Sequence, residues 1–180
     1  LHTERANGFA PDRHIVQDLH YAYDPVGNIS AIRDQAQHRV VHDNDCVDAS
    51  NDYLYDPLYR LIAAKGREHK GQDRQVDWDD GPRTVYQIPN DCQALQNYVE
   101  EYDYDAVGNI LRMTHHRGSD IDHPGSTLWK RRYQYQLDSN RLLSTSLPGD
   151  ADASVYGASP AYSHRYGHDA HGNMIHMPHL

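Results

Sequence analysis

Phenylalanine is nearly absent from this chain of 180 residues: there is one, with two tryptophans and three methionines, against fourteen tyrosines. Tyrosine buries its ring while its hydroxyl reaches water or a backbone group. The composition therefore suits thin β-layers with a wet face better than a deep apolar core. Hydrophobic residues make up 38% of the chain and its mean hydropathy is −0.89, low for a compact enzyme. The sequence has no apolar run long enough to span a bilayer, no signal peptide and no Met start. Its two ends read as those of a segment from something longer. Cysteine is scarce: Cys46 and Cys92 lack the Cys-x-x-Cys spacing of a zinc site and could pair or stay free. Basic runs are missing too, and the formal net charge of −9 argues against binding nucleic acid by phosphate neutralisation. Neither a Gly-x-Ser-x-Gly elbow, nor a phosphate-cradling glycine loop, nor a paired acid/base spacing occurs.

What is present is repetition. The unit Tyr-x-Tyr-Asp-x-x-Gly-Asn-(Ile/Met) stands at Tyr21, Tyr23, Asp24, Gly27, Asn28 and Ile29, and again at Tyr102, Tyr104, Asp105, Gly108, Asn109 and Ile110. A worn copy holds Tyr166, His168, Asp169, Gly172, Asn173 and Met174. Two variants start at Tyr53, Tyr55, Asp56 and at Tyr133, Tyr135. First tyrosines at 21, 53, 102, 133 and 166 are separated by 32, 49, 31 and 33 residues, so one interval carries an insertion, placed around 66–98. Such regularity points to an extended repeat architecture. The domain reading is a polar lead-in over 1–18 and one repeat region over 19–180.

Each unit reads as a β-hairpin. The Tyr pairs alternate onto one face of a strand. Asp24-Pro25-Val26-Gly27 has the chemistry of a type I turn followed by a bulge with glycine in the left-handed region. Tyr59 occupies the glycine position of the second copy, where a bulky residue resists φ > 0, so that turn is either different in type or strained. The fourth copy has one residue more before Asn140-Arg141-Leu142 and predicts a longer turn. Polar Gly/Pro-containing stretches over 66–82, 117–126 and 148–160 read as surface loops. Helical spacing of Leu95, Tyr98, Val99 and Tyr102 allows a short helix within 91–101.

Candidate chemistry is sparse. The turn aspartates recur because each copy needs a side chain that bonds turn backbone, which removes them from the catalytic candidates. A metal reading of His164, His168, His171, His176 and His179 competes with scattered surface histidine, since these residues straddle a strand and turn rather than a helix face. His115-His116 reads as a polar strand end. Protonating all fourteen histidines would carry the formal charge from −9 to +5. Exposed tyrosines could stack on sugar rings; the competing reading is cross-strand packing between hairpins.

The repeat resembles the YD repeats of the RHS family, over about 19–180. Within that family 21–34, 51–72 and 162–180 are most similar to the large B/C components of bacterial insecticidal toxin complexes. The narrower likeness rests on Asp56-Pro57-Leu58-Tyr59-Arg60-Leu61-Ile62, Gly66-Arg67-Glu68-His69 and Asp169-Ala170-His171-Gly172-Asn173-Met174. The resemblance implies an all-β fold of antiparallel hairpins forming part of a spiralling sheet, the wall of a shell that encloses a toxic C-terminal polypeptide. It implies a secreted or extracellular parent, with neighbouring YD repeats, the enclosed toxin and other toxin-complex subunits as partners. No membrane span, cofactor, metal or catalytic residue is implied for this segment, and the family's aspartyl self-cleavage motif has no match here. The alternatives are a cell-surface glycan- or protein-binding module and a histidine-based metal enzyme.

Overall fold

A computed structural model of the chain describes residues 1–5, 15–72, 93–152 and 159–178. Among these residues there is no α-helix, only a 3-10 turn at Lys70–Gln72 and fourteen strands. They are β1 (His2–Glu4), β2 (Ile15–Tyr23), β3 (Ile29–Asp34), β4 (Val40–His42), β5 (Asp45–Val47), β6 (Ser50–Tyr55) and β7 (Leu61–His69). After these come β8 (Leu95–Tyr104), β9 (Ile110–Arg117), β10 (Thr127–Tyr135), β11 (Leu142–Thr145), β12 (His164–Arg165), β13 (Gly167–His168) and β14 (Met174–His176). The chain divides into two compact units. One comprises Leu1–Asp73, Ile88–Glu100 and His116–Ser126; the other comprises Arg74–Gln87, Glu101–His115 and Thr127–Leu180.

In the first unit the strand order is β1-β2-β3-β6-β7-β8, with β4 and β5 forming a separate two-stranded sheet. The second unit runs β8-β9-β10-β11-β12, with β13 and β14 as a further pair. The repeat hairpins β2–β3, β6–β7, β10–β11 and β13–β14 are antiparallel. Their return strands share a feature that the alternation of residues does not announce. Tyr23 pairs with Ile29 but Ala22 with Ala31, so Ser30 is skipped. By the same shift Ile62, Leu143 and Ile175 are skipped in the later hairpins. Each skip is a β-bulge, which turns the strand over by one residue and increases its local twist. It explains why aliphatic residues on these strands fall three apart instead of two. Ile29 and Ile32 oppose Tyr23 and Tyr21, and Leu61 and Ala64 oppose Tyr55 and Tyr53, so each pair shares a face with the tyrosines.

Two expectations are corrected. Leu95 to Tyr102 lie in strand β8, not in a helix. Val99 is fully buried there beside half-buried Tyr98, and pairing with β7 overrides a helical spacing made of β-formers. The loop expected over 66–82 does not include 66–72: Gly66–His69 complete β7 and Lys70–Gln72 form the 3-10 turn, while 73–92 lie outside the described residues. The loop over 117–126 is present, closed at its base by Arg117 N–H donating to the Ser126 carbonyl at 2.9 Å. His115 and His116 stand at the end of β9 as expected and are buried there, and the His115 ring stacks on Trp129 at 4.9 Å and 7°.

The cores are thin and partly polar. In the first unit Val47, Ala63, Ala64, Ala94 and Val99 are buried. The β4–β5 hairpin is tied to the sheet by Asn97 Nδ2, which donates to the Cys46 carbonyl at 3.1 Å, and by an ion pair between Lys70 and Asp43. In the second unit the buried residues are mostly polar and bond one another. Gln134 Oε1 accepts from Ser144 Oγ at 2.7 Å and from the Ala161 amide at 2.6 Å, while Gln134 Nε2 donates to the Ser159 carbonyl at 3.0 Å. That network anchors 159–162 over the sheet and satisfies groups whose desolvation would otherwise be costly.

Gly66 lets β7 and its neighbours approach. A Cβ there would lie 2.7 Å from Asn51 Oδ1 and 2.8 Å from the Tyr98 hydroxyl oxygen. Burial pushes the Tyr98 phenol up to about 12. Gly66→Ala must displace that ring, so we expect a loss of about 1–3 kcal/mol in unfolding free energy, measured by urea denaturation against the parent sequence. An unchanged midpoint would mean the tyrosine moves without cost.

Candidate functional site

The feature that four of the five copies rebuild is the turn, and its geometry is set by one carboxylate. Asp24 Oδ1 accepts from the amides of Val26 at 3.1 Å and Asn28 at 2.8 Å, and Oδ2 accepts from Asn28 Nδ2 at 2.9 Å. The Asp24 carbonyl takes the Gly27 amide at 3.1 Å, and the Asp24 amide donates to the Asn28 carbonyl at 2.9 Å. This is the type I turn with a following left-handed glycine, Gly27 having φ 98°. Asp105 repeats the arrangement with Val107 and Asn109 at 3.0, 2.8 and 2.8 Å, and Gly108 has φ 101°. Asp169 does so with His171 and Asn173 at 2.9, 2.9 and 2.8 Å, and Gly172 has φ 91°.

The second copy keeps the turn and changes its parts. Asp56 Oδ1 accepts from the amides of Leu58 at 2.8 Å and Arg60 at 2.9 Å, and Arg60 Nε reaches Oδ2 at 2.7 Å where other copies use asparagine. Tyr59 adopts φ 63°. The turn type is therefore the same and Tyr59 carries the strain. In the fourth copy Gln136 replaces the aspartate; its amide donates to the Arg141 carbonyl at 2.9 Å, one residue later than in the other copies. None of 136–141 has positive φ, so the extra residue does away with the left-handed position.

The carboxyls of all four aspartates lie below the ordinary aspartate range. At Asp56 the Arg60 amide is the largest influence, and at Asp169 the Asn173 side chain is. At Asp24 and Asp105 loss of hydration is the largest influence and pushes upward, but the bonds from Asn28 or Asn109 and from the turn amides outweigh it.

The tyrosines divide by position. Tyr21 and Tyr23 are 39% and 61% exposed, their rings 6.4 Å apart and 25° from parallel. Tyr53, Tyr55, Tyr102, Tyr104, Tyr133, Tyr135 and Tyr166 are half-buried. Tyr55 donates its hydroxyl to the Ile29 carbonyl at 2.9 Å, joining the first two hairpins, and the Tyr166 hydroxyl lies 3.2 Å from Thr145 Oγ1. Among the histidines of the tail, His164 and His168 belong to separate strand pairs, His171 sits in the turn and His176 in β14; His179 lies outside the described residues. No group of three or more His, Cys, Asp or Glu able to hold a metal occurs among the described residues. Sequence reasoning assigned the aspartate and glycine to the turn but missed the asparagine, whose side chain closes the carboxylate's second oxygen. Its constant spacing of four from the aspartate was the available signal.

Two outcomes follow from the turn chemistry. The four carboxyls should titrate below the ordinary value of 3.8 in carbon-detected NMR. Because their folded values are depressed, the stability they contribute is complete above the unfolded value and is lost as pH falls through the lower folded values. Thermal stability should thus hold down to about pH 4 and fall below it; titration at or above 3.8 would show the clamps do not hold the carboxylates. Tyr59→Gly relieves the left-handed strain against the added chain entropy of glycine, and should raise the unfolding free energy by about 0.5–1 kcal/mol. A loss in urea denaturation would show that the exposed Tyr59 ring contributes more than its backbone costs.

No protein-family model matches the chain. Toxin subunit YenC2 of Yersinia entomophaga is 40% identical over 115 residues, 64% of this chain and 12% of the relative. Toxin subunit YenC1 of the same organism is 32% identical over 152 residues, 84% of this chain and 15% of the relative. The chain therefore spans only about an eighth to a seventh of the length of these curated relatives. Among solved structures, TcdB2-TccC3 without its hypervariable C-terminal region is 27% identical at a TM-score of 0.56, covering 91% of this chain and 8% of that one. The TcdB2-TccC3-Cdc42 structure is 26% identical at a TM-score of 0.54, again over 91% of this chain and 8% of that one. With the clamped Tyr-Asp turns and the all-β hairpin fold, these likenesses establish that the chain belongs to the RHS/YD-repeat family, as a segment similar to subunits of bacterial toxin complexes.

Proposed function

We propose that this segment is a non-catalytic wall element of an RHS shell that encloses a toxic C-terminal polypeptide in the parent protein and helps deliver it. The observation that carries the reading is the repeated clamp: four aspartates spend their carboxylates on turn backbone and side chains, leaving them committed to structure rather than to acid–base chemistry. A wall needs strands whose edges are paired by the next unit, and the hairpins here pair through β3–β6 within the first unit. Residues 19–180 form one repeat region in this reading, the parent is secreted or extracellular, and its partners are further YD repeats, the enclosed polypeptide and other toxin-complex subunits. Neither a cofactor nor nucleic acid has a part in it.

The second reading, a glycan-binding surface, rests on the stacked and exposed Tyr21–Tyr23 pair. Tyr21→Ala abolishing binding on a glycan array would favour it.

Encapsulation is tested in the full-length parent by limited proteolysis. The region C-terminal to the repeats should resist protease in the parent sequence. It should become cleavable, by at least tenfold in rate, when Asp24, Asp56, Asp105 and Asp169 are all replaced by alanine. Equal and rapid digestion of that region in both proteins would overturn the proposal.

A further inference from the structure

Of the fourteen histidines in the chain, one sits between two carboxylates. On β1, His2 Nε2 lies 2.9 Å from Glu4 Oε1, and its Nδ1 lies 3.4 Å from Asp18 Oδ1 on the neighbouring strand β2. His20 Nε2 lies 3.3 Å from the same Asp18 oxygen. Ionised carboxylates only accept hydrogen bonds, so both nitrogens of the His2 ring face acceptors. A neutral imidazole carries one N–H and must turn a lone pair toward the other carboxylate, whereas the imidazolium donates to both. Glu4 and Asp18 accordingly hold the His2 pKa above the ordinary value of 6.5.

The strand that His2 belongs to has little else to hold it. β1 is three residues long, and His2, Thr3 and Glu4 are all exposed. It buries no side chain against the sheet, and a bulge between Thr3 and Glu4 interrupts its pairing with β2. Backbone bonds attach it, among them the Leu19 amide to the Leu1 carbonyl at 2.7 Å and the Leu1 amino group to the Leu19 carbonyl at 2.8 Å. Among the described residues, the side-chain tie from β1 to β2 is the pair of His2 with Asp18. The other charged groups nearby are committed to β2, β3 and β6. His20 stands opposite Arg33, whose guanidinium bonds Asp52 at 2.5 Å, and Asp34 Oδ1 accepts the Asp18 amide at 2.9 Å.

We infer that His2 is a proton-controlled latch: as an imidazolium it ties β1 to β2, and on losing its proton it lets β1 leave and bares the edge of β2 from Ile15 to Leu19. The sign follows from the carboxylates. A histidine whose folded pKa is raised contributes docking that is complete below 6.5 and is lost as pH rises through the folded value. β1 is therefore closed in mildly acidic surroundings and loosens above neutrality. An opened edge presents unpaired N–H and C=O groups that another strand can take up. The inference concerns one edge strand and stands whether or not the wall reading holds.

Hydrogen exchange of the full-length parent, read by mass spectrometry and corrected for the intrinsic rate, tests the latch with the Leu19 amide as reporter. Protection of the peptide holding Leu19 should fall about threefold or more between about pH 6 and about pH 8.5. His2→Gln should remove that fall and leave protection at its high-pH level throughout, and Asp18→Asn should do the same. His20→Gln leaves β1 untouched and should keep the fall. Protection that does not change with pH in the parent sequence would overturn the inference. So would a fall that survives His2→Gln, or one that His20→Gln abolishes. Folding of each variant is checked by unchanged exchange in the β6–β7 hairpin, and His2→Asn takes the place of His2→Gln should that variant fail the check.

Discussion

The structure depends on a carboxylate that accepts hydrogen bonds from the turn it opens. A type I turn with a following left-handed residue leaves amides directed inward with no strand to receive them. An aspartate at the first position collects two of them on one oxygen, and the asparagine four residues on donates to the other. With the turn fixed, the hairpin register is fixed, and with the register the tyrosines and the aliphatics of the return strand meet on one face. The copy that replaces asparagine with Arg60 keeps the geometry by exchanging an amide for a guanidinium. The clamp therefore tolerates chemical substitution so long as a donor reaches the second oxygen.

Much of this was legible in the residues. The Asp-x-x-Gly spacing predicts the turn, alternation of Tyr21 and Tyr23 predicts the strand, and the one-residue surplus before Asn140 predicts the longer fourth turn. What was not legible has physical causes. A bulge has no residue signature of its own at Ser30 or Ile62: neither is a glycine, and the extra residue shows only in how the strand pairs with its neighbour. Strand β8 hid behind a helical spacing because Leu, Tyr and Val serve either element and only the neighbour decides. The β4–β5 hairpin was silent because its anchor, Asn97, lies some fifty residues further along the chain.

The candidate site was legible in kind and incomplete in detail. Tyr59 shows why: its position in the motif identified it as the occupant of a glycine place, but whether the turn or the residue would yield was a contest of energies. The residue yielded, with φ 63°. Buried His115 and Gln134 make the complementary point. Polar residues in a thin layer are acceptable where neighbours complete their bonds, and Gln134 has three such partners contributed by Ser144, Ser159 and Ala161.

A tandem array of identical hairpins faces an identification problem during folding, since any copy could dock beside any other. The lateral contacts between turns differ from place to place: a tyrosine hydroxyl bonded to a carbonyl at Tyr55–Ile29, an amide pair at Asn109–Asn140, and the Arg141 guanidinium lying close to Gly172 without a bond. These differences give each junction its own set of partners. Drift among the copies, which looks like decay of a motif when each is viewed alone, is what distinguishes one junction from the next, and negative design against wrong pairing works through differences of that kind.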